Sequence, residues 1–139
     1  MRKYLPDLAS VAALFAFSLA FAGFLLRDDL FIYGDNPGQF LRVWQAMSYS
    51  WHERGLLIDW VPFWYAGYPD LQFYPPGFAL LGWLVKQITF GALSDFAVYQ
   101  LLLFVSFALP GFTTYYALVR LGFGRSAGLS GGVLAIIFP

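Results

Sequence analysis

The sequence contains no cysteine, one histidine and few charged residues. Without cysteine the chain has no disulfide, no thiolate metal site and no cysteine nucleophile. The single histidine, His52, excludes zinc motifs built on paired histidines. Charged residues make up 12% of the chain, against about 25% in an average soluble domain. The eight basic residues are scattered and balanced by eight acidic ones, so no nucleic-acid partner is expected.

Hydrophobic residues make up 60% of the chain and aromatic residues 22%, a composition typical of membrane proteins. Residues 8–26 form a run of 19 without a charge, which as a helix is about long enough to cross a hydrocarbon core of roughly 30 Å. Arg2 and Lys3 precede this run, so the positive-inside rule places the N-terminus in the cytoplasm. The sequence thus predicts an integral, multi-pass protein of the cell membrane.

A cleaved signal peptide is the alternative interpretation of the same run. Arg2 and Lys3 fit its charged start, and Ala20-Phe21-Ala22 has the small-x-small form of a cleavage site. The apolar run continues past that site and further apolar segments follow, which favours a membrane span.

Residues 27–77 are predicted to form an external loop that holds six of the eight acids and many aromatic residues. Its length indicates function or disorder, and the aromatic content argues against disorder. Within it, residues 37–54 predict a surface helix, because Pro37 suits a first helical position and apolar residues recur at helical spacing. The recurring residues are Phe40, Val43, Trp44, Met47 and Trp51. We expect this stripe to face lipid or a neighbouring helix.

The second half of the chain contains three more apolar segments. Residues 78–90 include a lysine and are short for a span, so they predict a helix that only dips into the membrane. Residues 96–119 are 24 residues without a charge that follow a Ser94-Asp95 helix cap, and they predict the second span. Residues 126–139 predict the start of a third. Arg120 and Arg125 then lie in the cytoplasm, as the charge rule requires. We expect the chain to be the N-terminal part of a longer protein.

Glycine recurs every fourth residue at Gly124, Gly128 and Gly132. This spacing places small residues on one face of a helix, where a neighbouring helix can approach closely. It does not fit a nucleotide-binding glycine loop, and no strand precedes it.

Two segments, GDNPGQF at residues 34–40 and WVPFWYAGYPDLQFYPPGF at residues 60–78, carry a family resemblance. The chain resembles the N-terminal part of GT-C superfamily glycosyltransferases in the order of its features. An external acid follows the first span, and a surface helix comes next. W-Y-x-G-Y-P and F-Y-P-P segments then precede a hydrophobic helix. The chain is most similar to the membrane proteins labelled 6-pyruvoyl-tetrahydropterin synthase-related, a label that does not denote pterin chemistry. The resemblance extends over most of the chain.

The resemblance implies an all-helical, polytopic membrane domain that moves a sugar from a polyprenyl-phosphate carrier to an acceptor at the external membrane face. In such relatives the acid of the first external loop lies at the active site, and Asp35 is the matching position. Many relatives carry a second acid beside it or a histidine a few residues on, where this chain has Asn36 and Gln39. In relatives the acid can also help to hold a divalent metal, but this chain lacks the paired acids of such a site, so a divalent metal is only one option and the cofactor stays undefined. In relatives a second acid of the active site usually follows the third span, so residues 1–139 alone are expected to be inactive.

The chemistry of Asp35 also supports a catalytic role. A carboxylate at a membrane face, partly desolvated by aromatic residues, can accept a proton from an acceptor hydroxyl while the anomeric carbon gains positive character. A turn role is the alternative, because aspartate is common in turns. Asn36 precedes Pro37 and already supplies a helix cap, so helix initiation does not require Asp35.

Six further residues are candidates for substrate binding. Arg42 and Arg54 match the oxygens of a carrier phosphate, although surface helices often carry arginine without a ligand. Aromatic rings can stack on a sugar or an isoprenoid, and they also occur at membrane boundaries without one. The aromatic candidates are Trp64, Tyr65, Tyr68 and Tyr74.

Two functions other than catalysis remain open. A transporter fragment would be expected to carry ionisable residues within its spans, and the two clear spans contain none. A membrane-anchored binding or assembly subunit would use the aromatic loop to hold a partner.

Overall fold

The computed structural model describes residues 8–27, 40, 60–61, 68–69 and 77–138, with only the backbone of the four strand residues described. Helix α1 covers Leu8–Ala22 and continues into a 3-10 turn at Gly23–Leu26. Two short strands follow, β1 at Trp60–Val61 and β2 at Tyr68–Pro69. The remaining helices are α2 at Gly77–Ile88, α3 at Asp95–Arg120 and α4 at Arg125–Ile137.

The prediction of an all-helical chain is confirmed for the described residues, apart from the strand pair. β1 and β2 are antiparallel, with Trp60 opposite Pro69 and Val61 opposite Tyr68. Two residues per strand agree with a segment rich in proline and glycine, which disfavour long regular elements. The surface helix predicted at 37–54 lies outside the described residues except for Phe40, whose backbone is helical.

Helix α1, the part of α3 after residue 102, and α4 form one compact unit. Its core consists of Leu14 from α1, Tyr115 and Val119 from α3, and Ile136 from α4, all buried. The hydroxyl of Ser18 is also buried, and it donates a hydrogen bond of 2.8 Å to the carbonyl oxygen of Leu14 one turn earlier. That bond satisfies the hydroxyl of Ser18 within the buried face of α1.

The predicted glycine face of α4 is confirmed at two of its three positions. Gly128 and Gly132 are buried, and a Cβ atom at Gly132 would lie 2.8 Å from the carbonyl oxygen of Gly111 in α3. The two helix backbones therefore meet at Gly111 and Gly132. The prediction was wrong for Gly124, which caps α4 with φ of 87° and has open space around it. A positive φ favours glycine, so Gly124 serves the turn.

Helix α2, β1, β2 and the start of α3 belong to a second compact unit. The predicted cap of α3 is confirmed at Ser94, whose hydroxyl accepts a hydrogen bond of 3.1 Å from the N–H of Ala97. The apolar segment predicted to be helical through residue 90 ends as an α-helix at Ile88. It ends there because Phe90 and Gly91 adopt φ of 52° and 73°, which a right-handed helix cannot contain.

Candidate functional site

The predicted catalytic residue and most predicted substrate-binding residues lie outside the described part of the chain. They are Asp35, Arg42, Arg54, Trp64, Tyr65 and Tyr74. Tyr68 is described only through its backbone, which pairs with Val61 across the two strands. The roles of these residues therefore stay predictions.

The two strands lie on either side of part of the aromatic segment at residues 60–78. β1 ends at residue 61 and β2 begins at residue 68, so Trp64 and Tyr65 belong to the connection between two hydrogen-bonded strands. Antiparallel pairing brings the ends of such a connection together. This pairing could not be predicted from the sequence, because each strand contains only two residues.

Phe40, the described residue of the predicted surface helix, packs against aromatic residues of α3. The ring of Phe40 packs edge-on against Phe96 and Tyr99, with centroid separations of 5.6 and 5.5 Å. Phe78 of α2 meets the same tyrosine at 6.0 Å. Edge-to-face pairs in this range are favourable. The apolar stripe predicted for residues 37–54 therefore contacts a neighbouring helix at its first member, five residues after Asp35 in the sequence.

A polar side chain lies next to this cluster. Gln100 follows Tyr99 on α3 and is buried in an otherwise apolar stretch of that helix. Polar residues inside a membrane span are costly and often mark functional positions. Gln100 was not among the predicted candidates because it carries no charge; its polarity within the predicted span is the sequence feature that distinguishes it. Within the described ranges no group of three metal-ligating side chains occurs.

Among the described residues, two helices are long and apolar enough to cross a membrane, Leu8–Leu26 with its 3-10 end and Asp95–Arg120. In their most apolar stretches, 28% and 39% of the residues are buried within the protein. A core helix of a soluble protein would be mostly buried, whereas most residues in these two stretches are exposed or only partly buried.

Comparisons with protein families, with curated proteins and with solved structures find no match for this chain.

Proposed function

We propose that the chain is the N-terminal part of a membrane glycosyltransferase of the GT-C type. Its substrate is a sugar carried on a polyprenyl phosphate, and the sugar is transferred to an acceptor at the external face of the cell membrane. The observation that carries this proposal is the position of Asp35 and the aromatic segments between two helices of spanning length. This order matches the motifs that resemble the family.

The packing of α1 supports a membrane span that stays with the protein. Leu14 is fully buried, and Gly132 of α4 leaves no room for a side chain beside it, since a Cβ atom there would lie 3.0 Å from a Leu14 methyl carbon. A signal peptide that is removed after export would not be needed in the core of the mature protein. The burial of Leu14 therefore favours a retained helix.

The proposed reaction uses few groups. Asp35 accepts the proton of an acceptor hydroxyl as that oxygen forms a bond to the anomeric carbon. The bond between that carbon and the phosphate oxygen breaks, and the polyprenyl phosphate leaves with the electron pair. Arg42 and Arg54 stabilise its negative charge, and the candidate aromatic rings hold the sugar or the isoprenoid chain.

A gene deletion in the source cell tests this function. Membranes from the deletion strain should lose transfer of a radiolabelled sugar from a polyprenyl-phosphate donor, and the carrier-linked sugar should accumulate. A plasmid copy of the gene should restore transfer, while an empty plasmid should not. Unchanged transfer in the deletion strain would contradict the proposed function.

The proposed membrane topology is tested by labelling single cysteines, since the chain has no native cysteine. We expect Phe123→Cys to react with an impermeant maleimide only after cells are opened, because Arg120 and Arg125 flank this turn. Ser50→Cys in the predicted external loop should react in intact cells and serves as the control. External labelling at position 123 would show that residues 78–90 cross the membrane.

A further inference from the structure

The turn between α2 and α3, residues 88–92, presents apolar side chains at its surface. Phe90 is 97% exposed and Ile88 is 66% exposed. The backbone of Phe90 also adopts the left-handed conformation, with φ of 52°, which glycine favours and other residues seldom adopt. A bulky residue is unfavourable both in that conformation and in full contact with water. An exposed phenylalanine at such a position therefore calls for an apolar environment outside the protein.

The charged groups beside this turn are paired with each other. Lys86 and Asp95 form a salt bridge with 2.5 Å between Nζ and Oδ1, and their side chains are 16% and 22% exposed. Lys86 Nζ also donates to the carbonyl oxygen of Leu93 at 3.4 Å. Between residues 77 and 119 the sequence contains no other charged residue. The turn and the helix ends on either side of it therefore carry no net charge into their surroundings.

The backbone of the turn is hydrogen-bonded internally. The N–H of Thr89 donates to Val85 O at 3.0 Å, and that of Gly91 donates to Lys86 O at 2.9 Å. The N–H groups of Phe90 and Ala92 donate to carbonyl oxygens three residues earlier, at 3.1 and 2.9 Å. The hydroxyl of Thr89 also donates to Val85 O, at 2.8 Å. Lipid offers no hydrogen bonds, so internal pairing of this kind is what lipid contact requires.

We propose that the α2–α3 turn is inserted into lipid at the edge of the hydrocarbon core, with Phe90 as its anchor. This inference rests on the membrane setting of the proposed function and does not depend on glycosyl transfer. Acyl chains fit the turn because its charges are paired, its N–H groups are satisfied and its exposed side chains are apolar. The 26 residues of α3 cover about 39 Å at about 1.5 Å per residue, against a core of roughly 30 Å. That length places the start of α3 near the membrane boundary, so the insertion is shallow.

The test is a depth measurement on the chain in phosphatidylcholine vesicles. An environment-sensitive fluorophore is attached at Ala92→Cys, which leaves Phe90 in place, or at Phe123→Cys as the control in the other exposed turn. At position 92 we expect quenching by lipids with a nitroxide near the headgroup and little quenching by aqueous iodide. At position 123 we expect iodide to quench efficiently. Equal access of iodide to both positions would overturn the inference.

Three outcomes separate the inference from its setting. A label at position 92 that is shielded from iodide but not quenched by any nitroxide lipid would show that protein covers the turn, and would overturn the inference. A chain that does not float with vesicles would overturn the membrane setting, which the proposed function shares. A chain that floats while iodide reaches position 92 would overturn this inference alone.

Variants identify the parts of the turn that hold it in lipid. Phe90→Gly suits the left-handed backbone, so the turn should persist while the label at position 92 moves toward water. Asp95→Asn leaves Lys86 without a carboxylate partner and should produce the same shift. Lys86→Met combined with Asp95→Asn removes both charges and should restore lipid quenching. Failure of the double variant to restore it would show that charge pairing does not control insertion.

Discussion

Replacing Asp35 with asparagine is expected to lower sugar transfer by about 10²–10⁴-fold, the usual contribution of general acid–base catalysis. The amide has nearly the shape of the carboxylate and serves as well in caps and turns. It accepts no proton at neutral pH and carries no charge, so it cannot act as a base or as an anionic metal ligand. The measurement is transfer from a labelled polyprenyl-phosphate donor in membranes that contain equal amounts of each variant.

Asn36→Ala is the matched control for this experiment. It removes the predicted helix cap at the neighbouring position and should weaken the helix start by about 1 kcal/mol while leaving transfer mostly intact. Expression and membrane insertion should be unchanged for Asp35→Asn. Near-wild-type transfer by Asp35→Asn would reduce Asp35 to a turn residue. It would then favour the non-catalytic alternative, a membrane-anchored subunit that holds a partner.

The long helices could be predicted from one property of the sequence, the length of a run without charged residues. Uncharged runs of membrane length mark α1 and α3, and the Ser94 cap gives the start of α3 to within one residue. The end of α2 was harder to predict. The segment predicted to be helical continues through Phe90, and only the backbone conformation at Phe90 and Gly91 ends the helix. Apolar character shows that a segment avoids water, but it does not show where its backbone turns.

Contacts between segments could not be predicted from the sequence. Lys86 appeared only as a residue that disfavours a span, because its partner Asp95 lies across a turn whose geometry the sequence does not specify. The packing of Phe40 on Phe96 and Tyr99 could not be predicted either, because it also joins segments that are distant in the sequence. A helical stripe indicates that a face is covered without indicating by what. For the candidate site, Asp35 and the aromatic residues come from the sequence alone, and the described structure adds the contact of Phe40 with Tyr99.

Gly132→Ala is expected to destabilise the packing of α4 against α3. The new Cβ atom would lie 2.8 Å from Gly111 O and 3.0 Å from a methyl carbon of Leu14. The first neighbour is backbone and cannot rotate away, so the helices must separate. Overpacking of this kind costs about 1–3 kcal/mol. Alanine recovers up to about 1 kcal/mol through its higher helix propensity, which leaves a net loss of stability.

Gly131→Ala is the control, one residue away on the same helix. Its Cβ atom would lie 2.5 Å from Leu118 Cδ1, the end of a flexible and only partly buried side chain that can rotate. The gain in helix propensity should then dominate, and the variant should be as stable as the wild type or slightly more stable. Thermal unfolding in a mild detergent, followed by circular dichroism, measures both variants. Equal stability of Gly131→Ala and Gly132→Ala would mean that α3 and α4 do not meet backbone to backbone at Gly111 and Gly132.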